Sequence, residues 1–374
     1  MNISVHQWLK QIRGRSWALF VLSLFAAMSA PASAPFHWGV NGHPLNQAAY
    51  MDVSLAAQLD LVAGLGASWY RCDVDAPVFR DNPARFDALV RAAEKRKIKL
   101  LPILLPSPNC QDAEATPKQI HDAARAFAID IVSRYKGRIT HWELGNEYDT
   151  YALIHKGEVT QSGLRWTWDS DPDGDSPDAF DPGRCARVKA EFMGLYEGVK
   201  AADPAALTIV NTAGWLHYGF IDRLVRENPT VPFDILSWHW YSEMGDMTAV
   251  QGRLNLVERL HRYGKPLWIT EVNRRNGSKG AKEADEAGYM SRDIARLAAN
   301  PGIDAVFIYE LLDEPYFGPD GESDYGLVTM KQDHDGRWQI AGKKKAFAAY
   351  QAVIKASARR AQITNAKTQT PKIP

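Results

Sequence analysis

Residues 98–147 read IKLLPILLPSPNCQDAEATPKQIHDAARAFAIDIVSRYKGRITHWELGNE. An apolar run opens the stretch (IKLLPILL, 98–105) and another closes it (ITHWELGNE, 139–147). Between them Ile120, Ala124, Phe127, Ile131 and Tyr135 fall on one helical stripe. Thr116 supplies an N-cap, Pro117 the first turn and Gly137 the stop. Strand, helix, strand is the unit of a parallel sheet with right-handed crossovers.

The same unit recurs on either side. Further strand candidates are FHWGVN (36–41), SWYRCD (68–73), LTIVNTA (207–213), FDILSWHWY (233–241), PLWITEV (266–272) and DAVFIYELL (304–312). Helical stripes lie at Phe86, Leu89, Val90 and Ala93, at Val188, Phe192, Leu195 and Val199, and at Phe347, Tyr350 and Val353. Eight units over about 320 residues predict an α/β fold, a single (β/α)8 TIM barrel with enlarged loops. A doubly wound open sheet is the alternative, and its phosphate-binding turn is missing. Gly64-Leu65-Gly66 has no third glycine and precedes a strand, and Gly336 to Lys344 lacks the spacing of a P-loop.

Lys plus Arg and Asp plus Glu both number 44 in 374 residues, a zero net charge that argues against a nucleic-acid partner. Hydrophobic residues at 45% and charged residues at 24% exclude wholesale disorder. Three Cys exclude a disulfide framework and a four-thiolate zinc site. At the N-terminus Lys10, Arg13 and Arg15 precede the uncharged run WALFVLSLFAAM (17–28) and the small-residue stretch SAPASAP. That order predicts a signal peptide over 1–34, an uncleaved membrane anchor being the alternative, so the domain is expected outside the cytoplasm, periplasmic or secreted. Residues 35–356 form the barrel, and 357–374 read as a loose, polar, basic tail.

Chemistry in such a barrel sits where the strands end. The fourth candidate strand ends Leu144-Gly145-Asn146-Glu147, and the seventh runs Ile269-Thr270-Glu271-Val272-Asn273. Strands four and seven lie nearly opposite one another, which sets two carboxylates across the mouth as a retaining glycosidase needs. Alternation puts His239 and Tyr241 on one face with Trp238 and Trp240 on the other, and pairs Arg71 with Asp73 while Cys72 points away. For Arg71, His239 and Tyr241 a purely structural role inside the barrel is the competing reading.

With these motifs the chain resembles the clan A glycoside hydrolases, with most likeness to family 39 and to the hydrolases encoded with bacterial exopolysaccharide machinery. HWELGNE (141–147) is similar to the clan's acid/base strand and LWITEVN (267–273) to its nucleophile strand. The resemblance implies Glu147 as acid/base, Glu271 as nucleophile, Asn146 as holder of the substrate 2-hydroxyl and Arg71 as the cation keeping the nucleophile ionised. In WHWY (238–241), it implies Tyr241 bound to the nucleophile and His239 lining the site. Tyr148 departs from the Asn-Glu-Pro of many members, which weakens any transfer of substrate.

Among the 12 Trp, Trp215, Trp166 and Trp168 are the candidate sugar platforms, with ordinary packing as the rival reading. Trp142 and Trp268 face outward by parity and are expected between barrel and helices. The long connection from Tyr148 to about Gly183 carries DSDPDGD (169–175), in which Asp169, Asp171 and Asp173 begin a calcium loop. Phe180 stands where the twelfth-position Glu is required, so a solvated acidic turn is the leading reading and calcium the alternative. Cys110 and Cys185 are open to a disulfide, with Cys72 as the leftover buried thiol.

The reading is thus an exported retaining β-glycosidase acting on a polysaccharide or oligosaccharide, endo-acting on a β-linked polymer or exopolysaccharide, with no cofactor. An exo-acting β-xylosidase-like enzyme and a non-catalytic glycan-binding barrel are the alternatives.

Overall fold

A computed structural model describes residues 36–154, 174–280, 282–318 and 322–369. The strands β1 (His37–Asn41), β2 (Trp69–Asp75), β3 (Lys99–Leu105), β4 (His141–Leu144), β5 (Leu207–Val210), β6 (Ile235–Tyr241), β7 (Leu267–Asn273) and β8 (Ala305–Ile308) form a closed barrel in chain order. Every neighbouring pair is parallel, and His37 opposite Ala305 closes the ring between β1 and β8. This is the expected (β/α)8 TIM barrel. Helices follow the strands, among them Leu55–Leu65, Pro83–Lys95, Pro117–Arg134, Pro182–Ala202, Tyr218–Arg226, Leu256–His261, Glu283–Tyr289 and Lys345–Gln369. Local chemistry starts them where the sequence says. Thr116 accepts from Gln119 N while the Gln119 side chain accepts from Thr116 N, a reciprocal cap ahead of Pro117.

Two apolar layers hold the barrel. The outer one, between strands and helices, takes Trp38, Trp142, Trp238 and Trp240 together with Cys72. The inner one, built from Trp69, Leu101, Ile209, Ile235, Trp268, Ala305 and Phe307, plugs the barrel. His141 stacks on Trp268 at 5.4 Å, and Trp69 meets Trp268 edge-on at 5.3 Å.

Trp268 therefore points inward, contrary to the parity reading. The cause is one extra residue in β7. Ser237 pairs with Trp268 and His239 with Glu271, so β7 advances three residues while β6 advances two. Against β8 the same shift appears between Ile269 and Val272. Such a bulge resets the alternation, and it lets Trp268, Thr270 and Glu271 all face the interior while Ile269 and Val272 face the helices.

Three other expectations change. Cys110 and Cys185 are free and buried, as is Cys72. Cys110 sits against Glu191, which accepts from its backbone N–H at 2.5 Å. Cys185 lies six residues earlier on the helix Pro182–Ala202, hence about 9 Å along the axis and about 240° around it. The stretch 357–369 is helical as the end of Lys345–Gln369, since that sequence holds no Gly or Pro to stop it. A hairpin, Val328–Gln332 with Trp338–Lys343, was not anticipated, although Asp335-Gly336 marks its turn. The predicted signal peptide, Trp166, Trp168, Asp169, Asp171 and Asp173 lie outside the described residues. Among the described residues no helix is long and apolar enough to cross a membrane.

Candidate active site

At the C-terminal ends of the strands lies a cleft of about 370 Å³ lined by Arg71, Asn146, Glu147, Trp215, Tyr241 and Glu271, among others. Arg71, on β2 and almost fully buried, is its hub. Its Nη1 donates to Glu271 Oε1 at 2.6 Å and to Asn41 Oδ1 at 2.8 Å. Nη2 donates to Asn146 Oδ1 at 2.8 Å, and Nε to Glu143 Oε2 at 2.5 Å. A guanidinium is suited to this because its five donors are fixed in one plane.

Glu271 accepts a second bond at Oε2 from the Tyr241 hydroxyl, 2.9 Å away. Burial alone would raise its pKa, but the His239 charge, the Arg71 guanidinium and the Tyr241 hydroxyl together hold it below the ordinary carboxylate value. Glu147 moves the other way. Burial is the main cause, helped by the charges of Glu271 and Asp149, and it outweighs the opposing bond from His239. His239 Nδ1 lies 2.6 Å from Glu147 Oε1 and 3.4 Å from Glu271 Oε2. One oxygen of each glutamate and one nitrogen of His239 all lie within 4.8 Å of one another.

The approach of Glu147 is set by the chain end of β4. The strand stops at Leu144, earlier than expected, because Gly145 (φ 67°) and Glu147 (φ 54°) are both left-handed. Gly145 is required, since a Cβ there would stand 2.2 Å from the Tyr148 ring. Tyr148, the departure from the resembled motif, thus fills the space beneath the strand end and packs on Phe192. A non-glycine residue at positive φ is strained, and here the Asn211 side chain stabilises it by accepting from Glu147 N at 2.7 Å.

Arg71, Asn146, Glu147, Trp215, Tyr241 and Glu271 line one cleft, and His239 lies buried between the two glutamates. Sequence reasoning missed Asn41, Glu143 and Asn211. Asn211 donates to Glu143 Oε1 at 2.9 Å and to Gly145 O at 2.8 Å. Each falls inside a predicted strand, so a polar residue with inward parity in an apolar run was the available signal. It also missed His43, Tyr309 and Glu322, which line the β8–β1 side.

A family model for the glycosyl hydrolase catalytic core matches residues 152–316. The match spans less than half of the chain and marks a likeness to a glycosyl hydrolase catalytic core over those residues. No curated protein matches it in sequence. Among solved structures, a family 39 glycoside hydrolase from the gut symbiont Bacteroides cellulosilyticus WH2 is similar at TM-score 0.57 and 19% identity. It covers 86% of this chain, while the chain spans 64% of that enzyme. The β-glucosidase of Thermotoga maritima is similar at TM-score 0.65 and 13% identity, over 87% of this chain and 99% of its own. The virulence factor SghA of Agrobacterium tumefaciens is similar at TM-score 0.58 and 14% identity, over 86% and 96%. At these identities the likeness describes the barrel fold alone, and the chemistry rests on the residues above.

Proposed function

We propose that this core is a retaining β-glycosidase with Glu271 as nucleophile and Glu147 as acid/base. The observation that carries the reading is the pairing of two carboxylates whose oxygens lie within 4.8 Å and whose pKa values are pushed apart. Retaining enzymes hold their carboxyl groups at about 5–5.5 Å, inverting ones at about 6.5–9.5 Å to admit a water. Glu271, kept ionised, attacks the anomeric carbon. Glu147 gives its proton to the leaving oxygen, then takes one from the water that cleaves the glycosyl ester. His239 beside Glu147 lets the pair retain a proton to higher pH than an exposed carboxyl would. Asn146, fixed by Arg71, presents its amide to the sugar's 2-hydroxyl.

The substrate class we infer is a β-linked polysaccharide or exopolysaccharide cut internally, reached by an exported protein. Trp215, half-buried and at the rim of the cleft, offers an indole face for a sugar ring. Exo action on small β-glycosides is the second reading, favoured by the β-glucosidase of Thermotoga maritima, 99% of whose length aligns. The test is reducing-end release from β-linked xylans, mannans, glucans and exopolysaccharide of the producing cell. Internal cutting is expected to give a ladder of oligosaccharides early in digestion. Monosaccharide as the sole early product would assign exo action, and silence on every polymer and on aryl β-glycosides would sink the glycosidase reading.

The opposite pKa shifts also predict a pH profile. Glu271 must be ionised, so kcat/KM should rise through a pKa below the ordinary 4.5 of a glutamate. Glu147 must carry a proton, so the rate should fall as pH passes the raised pKa of the Glu147–His239 pair. Tyr241→Phe removes a bond to the ionised form of Glu271, and the acid limb should move to higher pH. An acid limb unmoved by this change would mean that another group controls it.

A further inference from the structure

Beside the catalytic cleft, where the chain leaves β1 and β8, His43, Glu310 and Glu314 present donor atoms within 4.8 Å of one another. Glu310 and Glu314 are almost completely buried. Each side chain is held by a neighbour. His43 Nδ1 is 2.7 Å from Asp73 Oδ2, the Tyr50 hydroxyl donates to Glu310 Oε2 at 2.6 Å, and the Tyr316 hydroxyl donates to Glu314 Oε1 at 2.8 Å. Among the described residues, His43 Nε2 and Glu310 Oε1 are buried without a hydrogen-bond partner, and His43 Nε2 stands 3.6 Å from Glu310 Oε2. Buried polar atoms normally find partners, so two orphans in one cluster point to something that binds there.

We propose that His43, Glu310 and Glu314 form a binding site for one divalent transition-metal cation. Imidazole nitrogen with two carboxylates is a ligand set that zinc and its neighbours accept. A carboxylate on the far ring nitrogen, as Asp73 is here, orients a metal-binding histidine and raises its basicity. Donors on one tetrahedral zinc ion stand about 3.4 Å apart, given bonds of about 2.1 Å, so binding would draw together by side-chain rotation any pair that approaches the 4.8 Å limit of the cluster. The other histidine-carboxylate groups lack these features. In Glu147–His239–Glu271 the donor atoms are hydrogen-bonded and the Arg71 guanidinium stands among them, repelling a cation. Asp333–His334–Asp335 lies mainly at the exposed hairpin turn, with the His334 side chain 88% exposed. An ion at His43 would tie the connection after β1 to the segment after β8, and so brace one lip of the cleft. The rival arrangement is an ion cluster in which His43 itself carries the positive charge between Asp73 and Glu310.

The deciding experiment is calorimetric titration of the chelator-treated full chain with Zn²⁺ and, separately, Mn²⁺. One ion per chain is expected for at least one of them. Glu314→Gln should weaken binding by at least about a hundredfold, and Asp73→Asn, which acts through His43, by about 10- to 100-fold. Glu147→Gln and His334→Ala should leave it within a few-fold. Circular dichroism screens the variants for folding. Should Glu314→Gln fail to fold, Asp73→Asn and the anomalous signal of a soaked wild-type crystal decide the location. Folded wild type that binds neither ion, or binding that survives Glu314→Gln or vanishes in Glu147→Gln, would overturn the proposal and favour the ion cluster. The readout is independent of turnover, so this site and the glycosidase reading stand or fall separately.

Discussion

Glu271→Gln should lower turnover by at least about four orders of magnitude, because the covalent route disappears with the ionised oxygen that attacks the anomeric carbon. Gln is the informative replacement. Its carbonyl can still accept from Arg71 Nη1, and the Tyr241 hydroxyl can turn to accept from its amide. The removed charge does not orphan the guanidinium, which keeps Glu143, Asn41 and Asn146. The stability cost should therefore fall short of the roughly 3–5 kcal/mol typical when a buried charge loses its only partner. Thermal melting and single-turnover kinetics with an activated aryl β-glycoside check the two halves separately. A folded variant retaining more than about a tenth of wild-type turnover would remove Glu271 from the nucleophile's place. An unfolded one would instead reveal that Glu143 cannot balance Arg71 alone.

The strand-helix alternation was legible because each element carries its own period and its own stop signals. Thr116, Pro117 and Gly137 act locally, and so does the apolar stripe they enclose. Both glutamates were legible because strand order in a barrel sets which ends face each other, whatever the side-chain details. Trp268 was misread because a bulge in β7 depends on the neighbours. The extra residue appears only when β7 is registered against β6 and β8. That bulge sits directly before Glu271, so the element that defeats simple parity also aims the carboxylate.

Glu143 and Asn211 went unread for a related reason. A polar residue within an apolar strand looks like an interruption until its partners, distant in sequence, are in place. Arg71 and Glu143 are 72 positions apart, and Arg71 and Glu271 are 200. The cysteines failed in the opposite sense. Neighbouring loops do bring Cys110 near the helix that carries Cys185, but the helical turn presents Glu191 to Cys110 instead. The β8–β1 cluster was invisible as well, since His43 and Glu310 meet only when the barrel closes.

Glu147→Ala should reduce hydrolysis of substrates with poor leaving groups by about 10²- to 10⁴-fold, the usual contribution of a positioned acid. Activated aryl glycosides, whose leaving group departs without a proton, should form the glycosyl ester on Glu271 at a rate much closer to wild type. The ester should then accumulate, because Glu147 is no longer present to deprotonate the incoming water. Azide needs no such base. It can enter the space vacated beside His239, attack the anomeric carbon and release the Glu271 carboxylate, giving a glycosyl azide of retained β configuration. Backbone strain should not confound the result, since residue 147 holds a φ of 54° in the wild type and alanine inherits the same geometry. Rescue with a β-azide product would fix both the role of Glu147 and the stereochemical course. An α-azide would instead mean direct displacement with no ester on Glu271, and a variant that azide leaves unrescued would place the proton donor elsewhere.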